Sequence, residues 1–303
     1  MLHIVKRIAA ALLALLSAAA CGTNGSATTS GGKVSVVAGE NFWGSIATQL
    51  GGSHANVQSV VTDPNADPHE YESNTNDARA FATAGLVVLN GAGYDAWGQK
   101  LLDASPNSSR KVLNVATLLG KKAGDNPHFW YNPNWVLKVA DRITAEYQAL
   151  DSADSSYFQQ QRTLFQASLQ PYLTRLLEIK HKFSGTAVGA TESIFVYMAQ
   201  YLGLNLISPP EFMDAVAEGN DPPADAVATF QNQVSQKAIK VLVYNVQTAT
   251  AVTTNLKILA TQQDIPVVGV SETLQPVTAT FEEWQDSQLL TLENALNSSA
   301  LTS

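Results

Sequence analysis

The sequence predicts an α/β protein of two parallel-sheet lobes joined by a long rigid helix. Short apolar runs alternate with helical periods from Lys33 to the end of the chain. Several runs, such as Leu86-Val87-Val88-Leu89, are apolar at every position, as strands covered on both faces of a parallel sheet require. One segment in the middle, from about Asp154 to Phe183, is longer than an ordinary globular helix and divides the alternation in two. A chain of 303 residues has room for two such lobes.

In the first half, strands are expected at 34–38, 57–61, 86–89 and 111–115, with helices at 44–50, 76–84 and 134–150. The central helix carries Phe158, Phe165, Leu169, Tyr172, Leu173, Leu176 and Leu177 at mixed spacings of three and four, a face docked along one side. Pro171 should kink or break it, because proline lacks the N–H and clashes with the preceding turn. After it come strands at 187–190, 204–207, 241–244 and 267–270, and helices at 194–202, 223–235, 251–262 and 280–296. The expected divisions are residues 34–150 for the N-terminal lobe, 151–183 for the linking helix and 184–303 for the C-terminal lobe.

Ahead of the lobes, Lys6 and Arg7 precede a short Ala/Leu run and the small residues Ala18, Ala19 and Ala20. This reads as an export signal over residues 1–20. Cys21 is the only cysteine, so disulfides and thiolate metal sites are excluded. Its place directly after the signal resembles a bacterial lipobox, in which the thiol is lipidated; Ala18 departs from the commoner Leu. The other reading is an ordinary secretory signal with an incidental cysteine. Residues 21–33 are then the lipidated cysteine and a Gly/Ser/Thr tether. The localisation expected is extracytoplasmic, anchored to the cell membrane. Formal charge is −8, or −10 without Lys6 and Arg7, which argues against a nucleic-acid partner.

Four short stretches each offer one metal-ligand side chain: His69 in Asp67-Pro68-His69-Glu70-Tyr71, His128 in Asn126-Pro127-His128-Phe129-Trp130, Glu192 in Thr191-Glu192-Ser193, and Glu272 in Ser271-Glu272-Thr273. Two imidazoles and two carboxylates suit a divalent ion such as Zn²⁺ or Mn²⁺. Each histidine follows a proline, which stiffens the loop that presents it. Ligands of open α/β sheets collect beyond the carboxyl ends of strands. His69, Glu192 and Glu272 follow strands, so the site is expected in the cleft between lobes. The bland readings are loop histidines, a helix cap for Glu192 and a surface carboxylate for Glu272. Asp67 is expected to be a turn residue or the partner of an imidazole N–H. Trp43, Trp97 and Trp135 are expected in the core or the cleft wall, and His54 and His181 at the surface.

Taken together, the Pro-His motifs, the stretch Ala84-Gly85-Leu86-Val87-Val88-Leu89-Asn90-Gly91 with Gly93-Tyr94-Asp95, then Glu211-Phe212 and Glu272-Thr273-Leu274, resemble the cluster A-I solute-binding lipoproteins of zinc and manganese ABC importers. The resemblance runs from about residue 34 to the C-terminus. It implies two lobes joined by a rigid helix, His69 and His128 as the first two metal ligands and Glu192 as the third. The family's fourth ligand is usually Asp, and here it falls on Glu272, with Asp214 or Glu211 as the next candidates. The histidine-rich loop of many zinc members has no counterpart in Leu118 to Asp125. The implied function is capture of one Zn²⁺ or Mn²⁺ as transported ligand by a monomer, for delivery to an ABC permease and its ATPase. The alternatives are a metal-dependent hydrolase and a surface adhesin or scaffold lipoprotein. No His-Glu-x-x-His, nucleophile elbow or phosphate loop supports an enzyme.

Overall fold

The computed structural model describes residues 32–301. The signal segment, Cys21 and all but the last two residues of the tether lie outside the described residues. Strands β1 (Val34–Glu40), β2 (Ala55–Val61), β3 (Leu86–Leu89) and β4 (Lys111–Asn114) form one parallel sheet in the order β2-β1-β3-β4. Strands β5 (Ala187–Ala190), β6 (Asn205–Leu206), β7 (Leu242–Asn245) and β8 (Val267–Val270) repeat that order as β6-β5-β7-β8, again parallel. In both sheets the chain winds outward to either side of its first strand. Each lobe therefore has a switch point beyond the carboxyl ends of its first and third strands, where parallel sheets open a crevice.

The first lobe carries α1 (Asn41–Gly51), α2 (Thr75–Thr83), α3 (Ala96–Ala104) and α4 (Val115–Leu119). Helix α1 leaves β1 without a loop and lies against β2. Gly44 permits this, because a Cβ there would collide with Ser59 of β2. Asn74 caps α2 by accepting the Asn76 and Asp77 N–H groups, while Asp77 returns a bond to the Asn74 N–H. Helix α5 (Pro133–Leu150) starts on a proline at a position where a missing N–H costs nothing.

The linking segment is two helices, α6 (Ser155–Ser168) and α7 (Gln170–Phe183), which meet at Leu169. Pro171 stands in the first turn of α7, so the break falls where its ring would otherwise clash with the turn before it. The second lobe adds α8 (Val196–Leu202), α9 (Pro210–Ala217), α10 (Ala224–Ser235) and α11 (Ala251–Gln262), and α12 (Phe281–Leu301) closes the chain. Helices α3, α4 and α9 were not anticipated. They are short, and neighbours in space rather than a long periodic face stabilise them. The strand expected at 204–207 pairs only over Asn205–Leu206.

One hydrophobic cluster runs through both lobes rather than stopping at their boundary. It includes Val36 and Val88 of the first sheet, Val243 and Val268 of the second, and Tyr172, Leu176, Phe281, Trp284 and Leu292 of the helices that span them. Burying each large apolar side chain contributes roughly 1.5–3 kcal/mol. Helices α7 and α12 are also joined by Arg175, whose guanidinium donates to Asp286 at 2.7 Å and Glu293 at 3.0 Å. Hydrogen bonds cross the cleft as well. Gln247 Nε2 donates to Ala66 O and Gln275 Nε2 to Pro64 O, both at 2.7 Å.

Candidate metal centre

All four expected donors sit at loop starts on the cleft side of the sheets. Asp67 accepts the His69 backbone N–H at 2.9 Å and so caps the short 3-10 turn Pro68–Glu70. That turn presents His69 from the segment after β2. Of the two roles expected for Asp67 it is the turn residue: its carboxylate serves the backbone, not the imidazole. His128 stands at the entry to the 3-10 turn Phe129–Tyr131. Glu192 lies two residues beyond β5 and Glu272 two residues beyond β8.

The side chains converge. His69 Nε2 is 3.2 Å from Glu272 Oε2, His128 Nε2 is 3.8 Å from the same oxygen, and His128 Nε2 is 3.6 Å from Glu192 Oε1. Ligand atoms of His69, His128 and Glu272 all lie within 4.8 Å of one another. Glu192 joins through His128 and stands outside that mutual distance. His128, Glu192 and Glu272 are fully buried, and the His69 side chain is 19% exposed. Both Nε2 atoms are buried without a hydrogen bond, for the 3.2 Å approach of His69 to Glu272 is off the line of one. Orphaned buried nitrogens of this kind call for an explanation.

Neighbours fix each ring and carboxylate. Asn126 Oδ1 receives the His128 backbone N–H at 3.0 Å and lies 2.8 Å from His128 Nδ1, while its Nδ2 donates to Ser193 O at 2.7 Å. With the amide oriented by those two bonds, His128 must donate from Nδ1, which leaves the Nε2 lone pair facing the carboxylates. Glu192 divides its work. Oε2 accepts the Ile194 N–H at 2.9 Å, the helix-cap role, while Oε1 accepts Ser193 Oγ at 3.0 Å and faces His128. Asn245, the last residue of β7, donates from Nδ2 to Glu192 at 3.1 Å and to Glu272 at 2.9 Å. Tyr94 donates its phenol to Glu272 Oε2 at 2.7 Å. Gln247 Oε1 receives the Glu272 and Thr273 N–H groups at 2.7 and 3.0 Å.

Electrostatics follow from this crowding. Burial alone would lower His69, but the Glu272 carboxylate, with Glu192 and Asp67, outweighs it and raises His69 to about 9. Burial would raise Glu272, yet the two imidazoles hold it well below the ordinary carboxylate range. Asp67 is raised to about 6 by burial first and by Glu272 second. The wall is aromatic: Tyr94 and Trp130 pack edge-on to His69 and His128 at ring distances of 4.7 and 5.2 Å. Outside, a cleft of about 640 Å³ opens from His69 and Tyr94 past Asp125 and Asn126 to Asp214 and Glu218. Asp214 is at its exposed mouth, and Glu211 is exposed beside it.

Trp43 and Trp97 are buried and Trp135 is half-buried. Trp43 donates to Asn90 Oδ1 at 3.1 Å, and Asn90 in turn donates to Pro127 O at 2.9 Å beside His128. His181 is exposed. His54 forms, with Asp151 and Asp154, the other His/Asp cluster among the described residues. Its ring stacks on Tyr157 and its Nδ1 meets Asp154 at 2.6 Å, so that cluster is satisfied as a tie between the turn after α1 and the start of α6.

The repeated sheet order, with one donor cluster walled in where the strand ends of both lobes meet, defines a two-lobed solute-binding protein. Residues 36–295 match the model of the periplasmic zinc-uptake complex component A, ZnuA, and the chain belongs to that family. The chain is 25% identical over 214 residues to the manganese ABC transporter substrate-binding lipoprotein PsaA of Streptococcus anginosus, covering 63% of this chain and 67% of that protein. It is 25% identical over 219 residues to the iron ABC transporter substrate-binding lipoprotein MtsA of Streptococcus pyogenes serotype M1, covering 65% and 68%. With other streptococcal relatives the match spans between half and two thirds of their length, 59% for ScbA of Streptococcus cristatus and 55% for PsaA of Streptococcus pneumoniae. Among solved structures, FpvC of Pseudomonas aeruginosa in complex with Mn²⁺ superposes with a TM-score of 0.71 at 17% identity, over 88% of this chain and 99% of that one. That likeness is one of fold.

Proposed function

We propose that this protein is the extracytoplasmic substrate-binding component of an ABC metal importer, and that it captures one divalent transition-metal ion between His69, His128, Glu192 and Glu272 for delivery to the membrane permease. The observation that carries the reading is the pair of orphaned, buried Nε2 atoms set 3.2, 3.6 and 3.8 Å from two carboxylates. Donors bound to one ion at about 2.0–2.2 Å stand roughly 3.4 Å apart in a tetrahedral shell. The spacings of 3.2, 3.6 and 3.8 Å are close to that, and an ion would draw Glu192 in toward the group formed by His69, His128 and Glu272.

Two imidazoles and two carboxylates accept Zn²⁺ or Mn²⁺, and the carboxylates can add a second oxygen for an ion that prefers higher coordination. Zn²⁺ binds such donors more tightly than Mn²⁺ whatever the protein, so supply rather than affinity selects the physiological ion. The family and the curated relatives are described as uptake components, which favours cargo over a catalytic metal. Cys21, directly after the expected signal, is the site at which a lipid would anchor the chain. Metal uptake by cells whose only copy carries both His69→Ala and His128→Ala tests the function. Uptake under metal starvation should fall to the level of cells lacking the gene, and uptake at the wild-type rate would refute it.

A further inference from the structure

Asn245 ends β7, the strand that lies between β5 and β8, and it is buried with the two carboxylates those strands lead to. Its backbone is held in place: its N–H donates to Thr191 Oγ1 at 3.2 Å, and the Val246 N–H donates to Val270 O at 3.0 Å. Its side-chain Oδ1 receives the Gln247 N–H at 3.1 Å, which decides how the amide points. A carbonyl faces that donor, so Nδ2 faces the carboxylates. Nδ2 has two N–H groups. One donates to Glu192 Oε2 at 3.1 Å and the other to Glu272 Oε1 at 2.9 Å. These are the far oxygens. The near ones, Glu192 Oε1 and Glu272 Oε2, are those set 3.6 Å from His128 Nε2 and 3.2 Å from His69 Nε2.

Asn245 thus divides each carboxylate into one oxygen that faces the imidazoles and one that is held away from them. For Glu192 the hold is double, because Oε2 also accepts the Ile194 N–H at 2.9 Å and both its lone pairs are occupied. Among the described residues, Asn245 is the sole donor to Glu272 Oε1. We infer that Asn245 determines specificity by making Glu272 a one-oxygen ligand, so that the site offers an ion two nitrogens and two oxygens. The inference rests on the function proposed above. To chelate through both oxygens, Glu272 must turn Oε1 onto the ion, and Oε1 then leaves Asn245. Zn²⁺ is content with four ligands in a tetrahedron, whereas Mn²⁺ favours a larger shell of oxygens. The order of affinities is fixed by the ions, and Asn245 widens the gap between them. It is a positioning residue: it touches no ion and acts through Glu272.

Competition titration of the metal-free full chain gives the Mn²⁺ and Zn²⁺ dissociation constants for the wild type and for Asn245→Leu, which keeps the volume and lacks the donor. Loss of a supporting hydrogen bond weakens both ions alike, by about 10–100-fold, and cancels in their ratio. The second oxygen that Mn²⁺ gains from a freed Glu272 does not cancel. The ratio of the Mn²⁺ to the Zn²⁺ constant should therefore fall by about tenfold, the lower end of what a residue behind a ligand commands. Co²⁺ reports the shell itself, since tetrahedral Co²⁺ absorbs visible light far more strongly than five-coordinate Co²⁺. The wild type should give the intense spectrum and Asn245→Leu a weaker one. A weak, five-coordinate spectrum from the wild type overturns the inference with no variant needed, so a Leu variant that fails to fold leaves it open to refutation. A folded Leu variant that binds both ions more weakly by the same factor also overturns it, because Asn245 then supports the site without choosing between ions. A wild type that binds neither ion overturns the inference and the proposed function together, which the other outcomes do not.

Discussion

Asn126 holds the ring of His128 by its Nδ1 at 2.8 Å, and thereby turns the Nε2 lone pair toward Glu192 and Glu272. A metal-ligating histidine with its other nitrogen so engaged is fixed in tautomer and rotation before the ion arrives. Asn126→Ala should lower Mn²⁺ or Zn²⁺ affinity by about 10–100-fold without moving Nε2 out of the cleft. Equal affinities for the variant and the wild type, measured by competition with a chelating dye, would mean that the ring needs no such hold.

The four proposed donors are not expected to be equivalent. His69→Ala or His128→Ala removes a whole ligand and should weaken binding by far more than tenfold, with folding kept because neither histidine belongs to the hydrophobic clusters that hold the lobes together. Glu192→Gln should cost less than Glu272→Gln. One Glu192 oxygen is already committed to the Ile194 N–H, whereas Glu272 faces both imidazoles. Isothermal titration of the four variants gives the ranking. If Glu192→Ala binds like the wild type, the fourth donor is water or Asp214 at the cleft mouth.

Much of this site was legible in the sequence, and for identifiable reasons. His69 and His128 announce themselves by the prolines before them, and Glu192 and Glu272 by the strands they follow. Asn126, Tyr94, Asn245 and Gln247 support the site but carry no metal-ligand chemistry of their own. Asn126 and Tyr94 stand inside the Asn-Pro-His and Gly-Tyr-Asp motifs, yet their partners lie 67 and 178 residues away. Asn245 joins Glu192 and Glu272 only because β7 pairs between β5 and β8. The fold was readable where strands were wholly apolar, as at Leu86–Leu89, and not where short helices such as Pro210–Ala217 depend on neighbours for their stability.

Protons compete with the ion. His69 is raised to about 9, so metal must displace its proton throughout the neutral range, and affinity should fall about tenfold for each unit of pH below 9. The sign for stability is opposite in the metal-free protein. A histidine raised in the folded state stabilises it fully below the unfolded value of about 6.5 and loses that contribution as pH rises through 9. The metal-free melting temperature should therefore drop between pH 6.5 and 9, and His69→Gln should remove that drop. A pH-independent affinity across the window would contradict the assignment of His69.

Motion should be small. Helices α6, α7 and α12 share one hydrophobic cluster with both lobes, and Gln247 and Gln275 already bridge the cleft. Small-angle scattering curves of metal-free and Mn²⁺-loaded protein should nearly superimpose, while thermal stability rises by about 4 kcal/mol at a thousandfold excess over Kd. A large contraction on loading would instead describe a hinged clamshell.

The central claim is one ion held by one set of buried donors. Titration calorimetry of the chain without residues 1–21, stripped of metal, measures it directly with Mn²⁺ and with Zn²⁺. The expected result is a single tight site per chain that disappears in the double variant His69→Ala, His128→Ala. Two or more equivalent sites, or tight binding that survives the double variant, would place the ion elsewhere and contradict the account.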